Sequence, residues 1–270
     1  MKGVLTESPR VLWTWAILVS GCCEMTRCAK PMKRRKDRVH FPTFEYEQSA
    51  ELSGFEAIGV DEVGRGPLAG PVVAAAARYR STRLEFPLES EKCARLIRDS
   101  KTLSERQREE VYQWIIEHFE IGVGMIDAET IDRVNILQAT FLAMREAVSH
   151  ITSKKRQVTH EKDNKERGIL ILVDGNRVIP DMLCKQEAIV KGDARSVSIA
   201  AASIVAKVTR DRMMCDMDRL YPEYGFLQHK GYGTAQHIEV LRRFGPCPIH
   251  RQSFAPVAKA YREFARKEES

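Results

Sequence analysis

The sequence predicts one α/β domain with a mixed central sheet flanked by helices and with further helices at its C-terminal end. Short apolar runs of strand length alternate along the chain with segments whose apolar residues recur at helical spacing. Glycine and proline separate the first two apolar runs. The last two helical segments have no strand pattern between them, and the chain has no internal repeat. These patterns give no second domain boundary.

The first two apolar runs indicate a strand, a tight turn and a second strand. Residues 57–60 are apolar and end at Asp61 and Glu62, and residues 71–77 resume the apolar pattern. The residues that break regular structure between the runs are Gly64, Gly66 and Pro67.

A helix, a strand and a longer helix are predicted next. Ser104 followed by Gln107 matches a capping box, which opens a helix. The apolar residues of that helix are Val111, Trp114 and Ile115. Glycines alternate with Ile121, Val123 and Met125, as in a strand. The longer helix is marked by Val134, Leu137, Phe141, Met144 and Val148.

The second half of the chain begins with a polar stretch. Residues 152–167 contain no periodic apolar set, so we expect a charged surface loop there. Residues 169–173 are a buried strand that ends at Asp174. Helical spacing then continues through Val197, Ala201, Ile204 and Val208. Residues 237–244 and 255–267 are the predicted C-terminal helices.

The first fifty residues differ from the rest. Residues 1–38 hold nine Lys and Arg against three acids, which accounts for the whole net charge of +6, so net charge does not identify a partner of the main domain. We expect residues 1–50 to be a disordered extension or a misassigned start, and residues 51–270 to be the folded domain. Residues 11–23 are too short to span a bilayer, although a secretory signal is the alternative.

Acidic residues follow two of the predicted strands. Asp61 and Glu62 end the first strand, Asp174 ends a later one, and Asp193 follows in the sequence KGD. Carboxylates that converge repel each other unless a cation lies between them, and Mg²⁺ or Mn²⁺ prefers such ligands. Two such ions can support phosphodiester hydrolysis. Because neighbouring strand residues point to opposite faces, Asp61 and Glu62 share a site only if the strand ends or bulges there. The alternative is that each acid is an ordinary surface residue.

Three further segments carry weaker signals. Gly64, Arg65 and Gly66 allow a backbone to approach a ligand closely, although a simple turn is the alternative. Lys101 lies in DSK before a helix, where phosphate binds readily and where an ordinary helix cap is equally expected. Tyr232 lies in HKGYGT, which suits stacking on a sugar or base, or is a structured loop. No GxxxxGK[ST] or GxGxxG motif supports a nucleotide cofactor, and no paired CxxC suggests zinc.

Taken together, these segments resemble the bacterial ribonuclease HII family. Their order and spacing match over about residues 55–260. The matching segments are IGVDEVGRGPLAGPVV from residue 58, DSKTLS from 99, VDGN from 173, KGD from 191, SIVAKVTRD from 203, HKGYGT from 229 and PIHR from 248. Each motif alone is modest, and the ordered set is highly specific.

The resemblance implies a ribonuclease H-like fold and a defined set of site residues. It implies Mn²⁺ or Mg²⁺ ligands at Asp61, Glu62, Asp174 and Asp193. It implies that Gly64, Arg65 and Gly66 read the ribose 2′-hydroxyl through the backbone, that Tyr232 packs on the sugar at an RNA–DNA junction, and that Lys101 lies near a substrate phosphate.

The resemblance also implies an activity. The family cuts the RNA strand of RNA/DNA hybrids and nicks duplex DNA on the 5′ side of single ribonucleotides, leaving a 3′-hydroxyl and a 5′-phosphate. We expect a cytoplasmic monomer with no membrane partner. The chain departs from the family in its long N-terminus and in residues 152–167. The alternatives are ribonuclease HIII, which usually has GTG in place of GRG, a non-catalytic nucleic-acid-binding module, and a secreted or anchored protein.

Overall fold

A five-stranded mixed sheet forms the centre of the molecule. The structure, a computed structural model, describes residues 42–80, 96–97, 103–155 and 167–268. The strands are β1 (Phe55–Val63), β2 (Val72–Tyr79), β3 (Phe119–Ile126), β4 (Gly168–Asp174) and β5 (Lys185–Ile189), in the order β3-β2-β1-β4-β5. β2 is antiparallel to both of its neighbours, whereas β1, β4 and β5 are parallel. The predicted mixed sheet is therefore confirmed.

Eight α-helices surround the sheet in the described residues. They are α1 (Glu45–Leu52), α2 (Glu105–His118), α3 (Ala128–Val134), α4 (Ile136–Lys155), α5 (Val197–Leu220), α6 (Phe226–His229), α7 (Ala235–Phe244) and α8 (Ala255–Glu268). The predicted capping box opens α2, where the Ser104 side chain accepts from Gln107 N and the Gln107 side chain accepts from Ser104 N. Among the described residues, none of the helices has the length and apolar composition of a membrane span.

Helices cover both faces of the sheet, and β2 carries small apolar residues on each face that pack against them. Val73, Ala75 and Ala77 pack against α2 and α5, whereas Ala74 and Ala76 pack against α4. Alternate strand residues point to opposite faces, which divides the strand between two cores. Alanine keeps both layers close to the sheet.

Glycines of β3 allow α4 to lie directly on the strand. A Cβ on Gly122 or Gly124 would overlap the carbonyl oxygens of Ala147 and Ala143, respectively. The alternation of glycine with larger residues that predicted this strand is therefore a packing requirement of one sheet face.

The C-terminal helices form a third layer at one end of the sheet. Their core contains Phe226, Leu241 and Val257, together with Leu68 from the β1–β2 connection and Met214 from α5. The two predicted C-terminal helices are confirmed as α7 and α8. Because Leu68 belongs to this core, the connection after β1 is held against the C-terminal layer.

The folded unit begins before residue 51. Thr43 N donates to Arg195 O at 3.1 Å, and the buried Glu47 of α1 accepts from Ser196 Oγ at 2.7 Å and from Ser198 N at 2.9 Å. The boundary expected at residue 50 lies inside α1, because these contacts attach the end of the expected extension to the start of α5. Residues 1–41 lie outside the described part of the chain.

Two helix boundaries differ from the sequence predictions. The long helix expected from Val134 onward is two helices, because Asn135 has a φ of 69° and its Oδ1 accepts from Leu137 N at 3.0 Å and from Gln138 N at 3.1 Å. The loop expected over residues 152–167 begins later, since α4 continues to Lys155. The remainder of that expected loop, residues 156–166, lies outside the described residues.

Candidate active site

The site lies where two parallel strands stop pairing. Val60 and Val173 are the last residues by which β1 and β4 pair with each other. The next residue in each strand is an acid, Asp61 in β1 and Asp174 in β4. Adjacent strands lie about 4.8 Å apart, so the two carboxylates start from neighbouring backbone positions at one edge of the sheet.

Asp61 and Glu62 share this edge without a bulge. β1 continues to pair regularly with β2 beyond the acids, up to Val63 opposite Val73. Only the pairing of β1 with β4 has ended, so β1 neither ends nor bulges at the acids and the condition set from the sequence is not met. The two acids still interact, since the charge of Glu62 adds to burial in raising the pKa of Asp61. Asp61 is 6% exposed and hydrogen-bonds to Ser203 of α5, so it lies under that helix.

Burial and repulsion both act on these acids. The pKa of Asp61 is raised well above its usual value by burial first, and then by the charges of Glu62 and Asp174. Burial also raises the pKa of Glu62, and Asp174 raises it further, whereas Arg65 opposes the shift from 3.2 Å. The charge of Asp174 therefore reaches both acids of β1.

Asp193 is brought to the same edge by a tight turn. Gly192 N donates to Asp174 Oδ1 at 2.6 Å, and Asp193 follows in the 3₁₀ turn Gly192–Ala194. A Cβ on Gly192 would lie 2.6 Å from Ile199 Cδ1 and 3.2 Å from Asp174 Oδ1, so glycine allows this approach. Asp193 is buried, at 7% exposure.

The carboxylates suit a divalent cation by chemistry, although their present orientations do not form a complete ligand set. No group of three or more His, Cys, Asp or Glu side chains in the described residues is arranged to hold a metal ion. Neighbouring donors engage the acids instead: Glu62 N contacts Asp61 Oδ1 at 2.7 Å, and Arg65 contacts Glu62. Clustered carboxylate oxygens with raised pKa values are nevertheless the donors that Mg²⁺ and Mn²⁺ prefer.

The loop after the acids is held by a fully buried arginine. Arg251 donates to Gly64 O at 2.6 Å, Arg65 O at 3.1 Å, Pro67 O at 2.8 Å and Gly70 O at 3.0 Å and 2.8 Å. Burial, followed by the charge of Arg210, lowers the pKa of Arg251 to about 9. Four carbonyl groups thus converge on one guanidinium, which fixes the loop.

A second buried arginine joins this loop to the segment that carries Tyr232. Arg210 of α5 donates to Pro71 O at 3.0 Å, Ala69 O at 3.1 Å and Lys230 O at 2.9 Å. Gly64 has a φ of 91°, and a Cβ there would overlap the Arg210 side chain. Glycine at position 64 is therefore required by both its conformation and its neighbour.

Tyr232 lies beside the same loop. Its side chain is 45% exposed, and a Cβ on Gly66 would lie 3.9 Å from its Cε1 atom. Arg65 is also half exposed. The two segments that the sequence singled out separately therefore form one surface next to the acids.

Several of the candidate residues lie near one another in the structure. The structure places Asp61, Glu62 and Asp174 within electrostatic reach of one another. Gly192, which precedes Asp193, contacts Asp174, and Gly66 lies beside Tyr232. Lys101 lies outside the described residues. Ser203, Arg210 and Arg251 had been assigned no role, although each lies in a matching segment. Arg210 lies among other charged residues of α5, such as Lys207 and Asp211, so no signal in the sequence indicated its burial.

Comparisons with known proteins identify the family. The family described as Ribonuclease HII matches residues 58–257. A relative named Ribonuclease HII from Parvibaculum lavamentivorans is 44% identical over 230 residues, covering 85% of this chain and 77% of the relative.

Solved structures have the same fold. Ribonuclease H2 from Pyrococcus horikoshii aligns with a TM-score of 0.55 and 26% identity, over 78% of this chain and all of that one. A structure titled as Bst-RNase HIII in complex with Mn²⁺ aligns with a TM-score of 0.59 over 79% of this chain and 71% of that one, and at 22% identity it supports the fold alone. The fold is therefore ribonuclease H-like, and the chain belongs to the ribonuclease HII family of ribonuclease H endonucleases.

Proposed function

We propose that this endonuclease nicks duplex DNA on the 5′ side of single embedded ribonucleotides, and also cuts the RNA strand of RNA/DNA hybrids. The products are a 3′-hydroxyl and a 5′-phosphate. The observation that carries the proposal is the juxtaposition of Asp61 and Asp174, one residue beyond the last paired residues of β1 and β4. Burial first, and then the charges of Glu62 and Asp174, raise the pKa of Asp61.

Asp61, Glu62, Asp174 and Asp193 are the proposed ligands of Mn²⁺ or Mg²⁺. The fit rests on hard oxygen donors and on the repulsion that raises the pKa of Asp61. When bound, a pair of such ions supplies an activated water and stabilises the leaving oxygen in phosphodiester hydrolysis. Ser203 orients Asp61 by a hydrogen bond, and Gly192 N orients Asp174 from 2.6 Å.

Substrate recognition is assigned to the loop and to Tyr232. The backbone of Gly64, Arg65 and Gly66 reads the 2′-hydroxyl, which distinguishes RNA from DNA at one position. The hydrogen bonds from Arg251 to this loop support its role in recognition, because they keep the carbonyl groups of the loop in fixed positions. Tyr232 packs on the sugar at the junction, which its half-exposed ring beside Gly66 supports.

A labelled duplex that carries one ribonucleotide tests the proposal. We expect a single nick on the 5′ side of the ribonucleotide with Mn²⁺, and no nick with EDTA. A DNA polymerase should extend the nicked strand, because it ends in a 3′-hydroxyl. A cut on the other side of the ribonucleotide, or a product that cannot be extended, would overturn the proposed chemistry.

Matched variants test the ligand assignment in the same assay. Asp174→Asn should abolish the nick, whereas Asp216→Asn should not, because Asp216 is a half-exposed surface acid paired with Arg219. Binding of the duplex without a cut by the unmodified protein, with and without EDTA, would favour a nucleic-acid-binding module instead. Equal activity of both variants would remove Asp174 from the ligand set.

A further inference from the structure

A chain of buried histidines lies behind Tyr232. His237 and His250 are 0% and 2% exposed, and their Nε2 atoms are 2.9 Å apart. His237 Nδ1 lies 2.9 Å from Tyr232 O, and Cys247 N lies 3.0 Å from His250 Nδ1. The row of contacts therefore runs from Cys247 to the backbone of Tyr232.

We assign the ring protons from the shorter contact to a partner that can only donate, Cys247 N; Cys247 Sγ and Cys247 O also lie 3.1 Å and 3.3 Å from His250 Nδ1. Cys247 N–H donates to His250 Nδ1, so the His250 proton lies on Nε2 and is donated to His237 Nε2. The His237 proton then lies on Nδ1 and is donated to the carbonyl of Tyr232. Each ring is neutral in this arrangement, and each uses both nitrogens.

The electrostatic environment agrees with neutral rings. Burial lowers the pKa of His237 to about 4, although its hydrogen bond to Tyr232 opposes the shift. Burial, followed by the charge of His237, lowers the pKa of His250 to about 3. Both rings therefore remain neutral near pH 7, as the hydrogen-bond directions require.

The same two residues are anchored to the two substrate-facing segments. His250 pairs with Ala69 in an antiparallel bridge, and Gly70 N donates to Ile249 O at 2.9 Å, so His250 is attached to the connection that begins at Gly64. His237 N donates to Thr234 Oγ1 at 3.2 Å at the start of α7. The His237–His250 contact is thus a bridge between the loop after β1 and the turn that holds Tyr232.

We propose that His237 and His250 are positioning residues that set the distance between Tyr232 and the Gly64–Arg65–Gly66 loop, and that they thereby determine selectivity for a single ribonucleotide at an RNA–DNA junction. This inference rests on the junction role proposed for Tyr232. Neither histidine touches substrate, because both are buried beneath the surface that Tyr232 and Gly66 form.

The test compares two variants at position 237. His237→Asn retains an N–H at the Nδ1 position, whereas His237→Leu does not, and both lose the contact with His250. The measured quantity is the ratio of kcat/KM for a single-ribonucleotide duplex to kcat/KM for a continuous hybrid. We expect His237→Leu to lower this ratio roughly 10-fold, as for the loss of one buried hydrogen bond, and His237→Asn to retain most of it.

A double variant separates positioning from general loosening of the fold. If His237 acts through Tyr232, then His237→Leu combined with Tyr232→Ala has the same ratio as Tyr232→Ala alone. Multiplied losses in the double variant, or equal ratios in the Leu and Asn variants, would overturn the inference. Should His237→Leu fail to fold, His250→Leu against His250→Gln gives the second pair, since Gln retains the donor to His237.

The outcomes distinguish this inference from the proposed function. A lowered ratio in Tyr232→Ala with a normal ratio in His237→Leu overturns the histidine inference and leaves the role of Tyr232 intact. A normal ratio in Tyr232→Ala overturns the junction role of Tyr232, and the inference with it. An unchanged nick position and unchanged product ends in His237→Leu and His237→Asn confirm that their differences concern selectivity.

Discussion

Asp61 and Asp174 each follow the last residue by which the parallel strands β1 and β4 pair with each other. Burial raises the pKa of Asp61, and the charges of Glu62 and Asp174 raise it further. The strands therefore hold two buried or half-buried carboxylates together against their mutual repulsion. Such an arrangement costs stability and is retained at sites that bind a cation.

Asp61→Asn tests this cost. Without a divalent ion the variant should be more stable than the parent chain, by roughly 2–4 °C in melting temperature, because it removes a buried charge from a repelling cluster. Cleavage should fall on the order of 100-fold or more, since a proposed metal ligand is lost. Calorimetry in EDTA and a nicking assay measure the two effects.

Mn²⁺ should reverse the order of stability. The ion stabilises the parent chain by about 2.7 kcal/mol at 100 times its dissociation constant, and stabilises Asp61→Asn less. Asp216→Asn is the matched control, because it removes a surface acid and should respond to Mn²⁺ as the parent does. A destabilised Asp61→Asn in EDTA would contradict the strained-cluster account.

Arg251→Lys should destabilise the protein by about 3 kcal/mol or more, because lysine cannot satisfy four converging carbonyl groups from the position of a guanidinium. Urea unfolding measures the loss, and cleavage should fall as well, since the loop would lose its fixed shape. Arg106→Lys is the control, with a side chain that is 90% exposed. Equal midpoints for both variants would show that the carbonyl contacts contribute little.

Gly64→Ala should lower the cleavage of ribonucleotide-containing duplexes on the order of 10-fold or more, because position 64 has a φ of 91° and a Cβ there would displace Arg210. Gly54→Ala is the matched control: its φ is 80°, and a Cβ there meets nothing within 4 Å. Equal loss of activity in both variants would attribute the effect to backbone strain rather than to the loop beside the site.

The buried histidines should make the free energy of unfolding fall as the pH is lowered. Histidine in the unfolded chain has a pKa near 6.5, whereas burial lowers the pKa of His237 to about 4 and that of His250 to about 3 in the folded chain. The two histidines contribute their full share to the free energy of unfolding above pH 6.5, and this share is lost as the pH falls below that value. The slope approaches about 1.4 kcal/mol per pH unit for each histidine.

Urea unfolding of the parent and of His250→Gln at a series of pH values measures this slope. The variant should show a shallower loss between about pH 6 and about pH 4. The difference between the two proteins removes the contributions of Asp61, Glu62 and Glu47, whose raised pKa values act in the opposite direction. Identical slopes would mean that His250 is not buried as a neutral ring.

The sequence predicts those features that depend on periodicity. The apolar runs before Asp61 and Asp174 identified the strands, and the edge at which both acids lie followed from their positions at the strand ends. The alternating glycines around Val123 identified β3 for the same reason. Side-chain pattern and strand geometry are both local properties, so one sequence carries them.

Other features depend on contacts that produce no periodic pattern in the sequence. β5, Lys185–Ile189, is a polar edge strand and was missed, and α1 was missed because it follows a charged stretch. The break at Asn135 depends on one left-handed residue. Arg251 donates hydrogen bonds to backbone carbonyl groups, which every residue has. No side chain in the sequence therefore indicates that Arg251 holds the loop.

We propose that four carboxylates converge on divalent ions beside the Gly64 loop, namely those of Asp61, Glu62, Asp174 and Asp193. Anomalous X-ray diffraction from crystals containing Mn²⁺ locates the ions and so tests this ligand set. We predict Mn²⁺ peaks bounded by these four side chains, after Asp61 and Glu62 exchange their present donors for the ion. Peaks at another place, with Asp61 and Asp174 making no contact to Mn²⁺, would contradict the account.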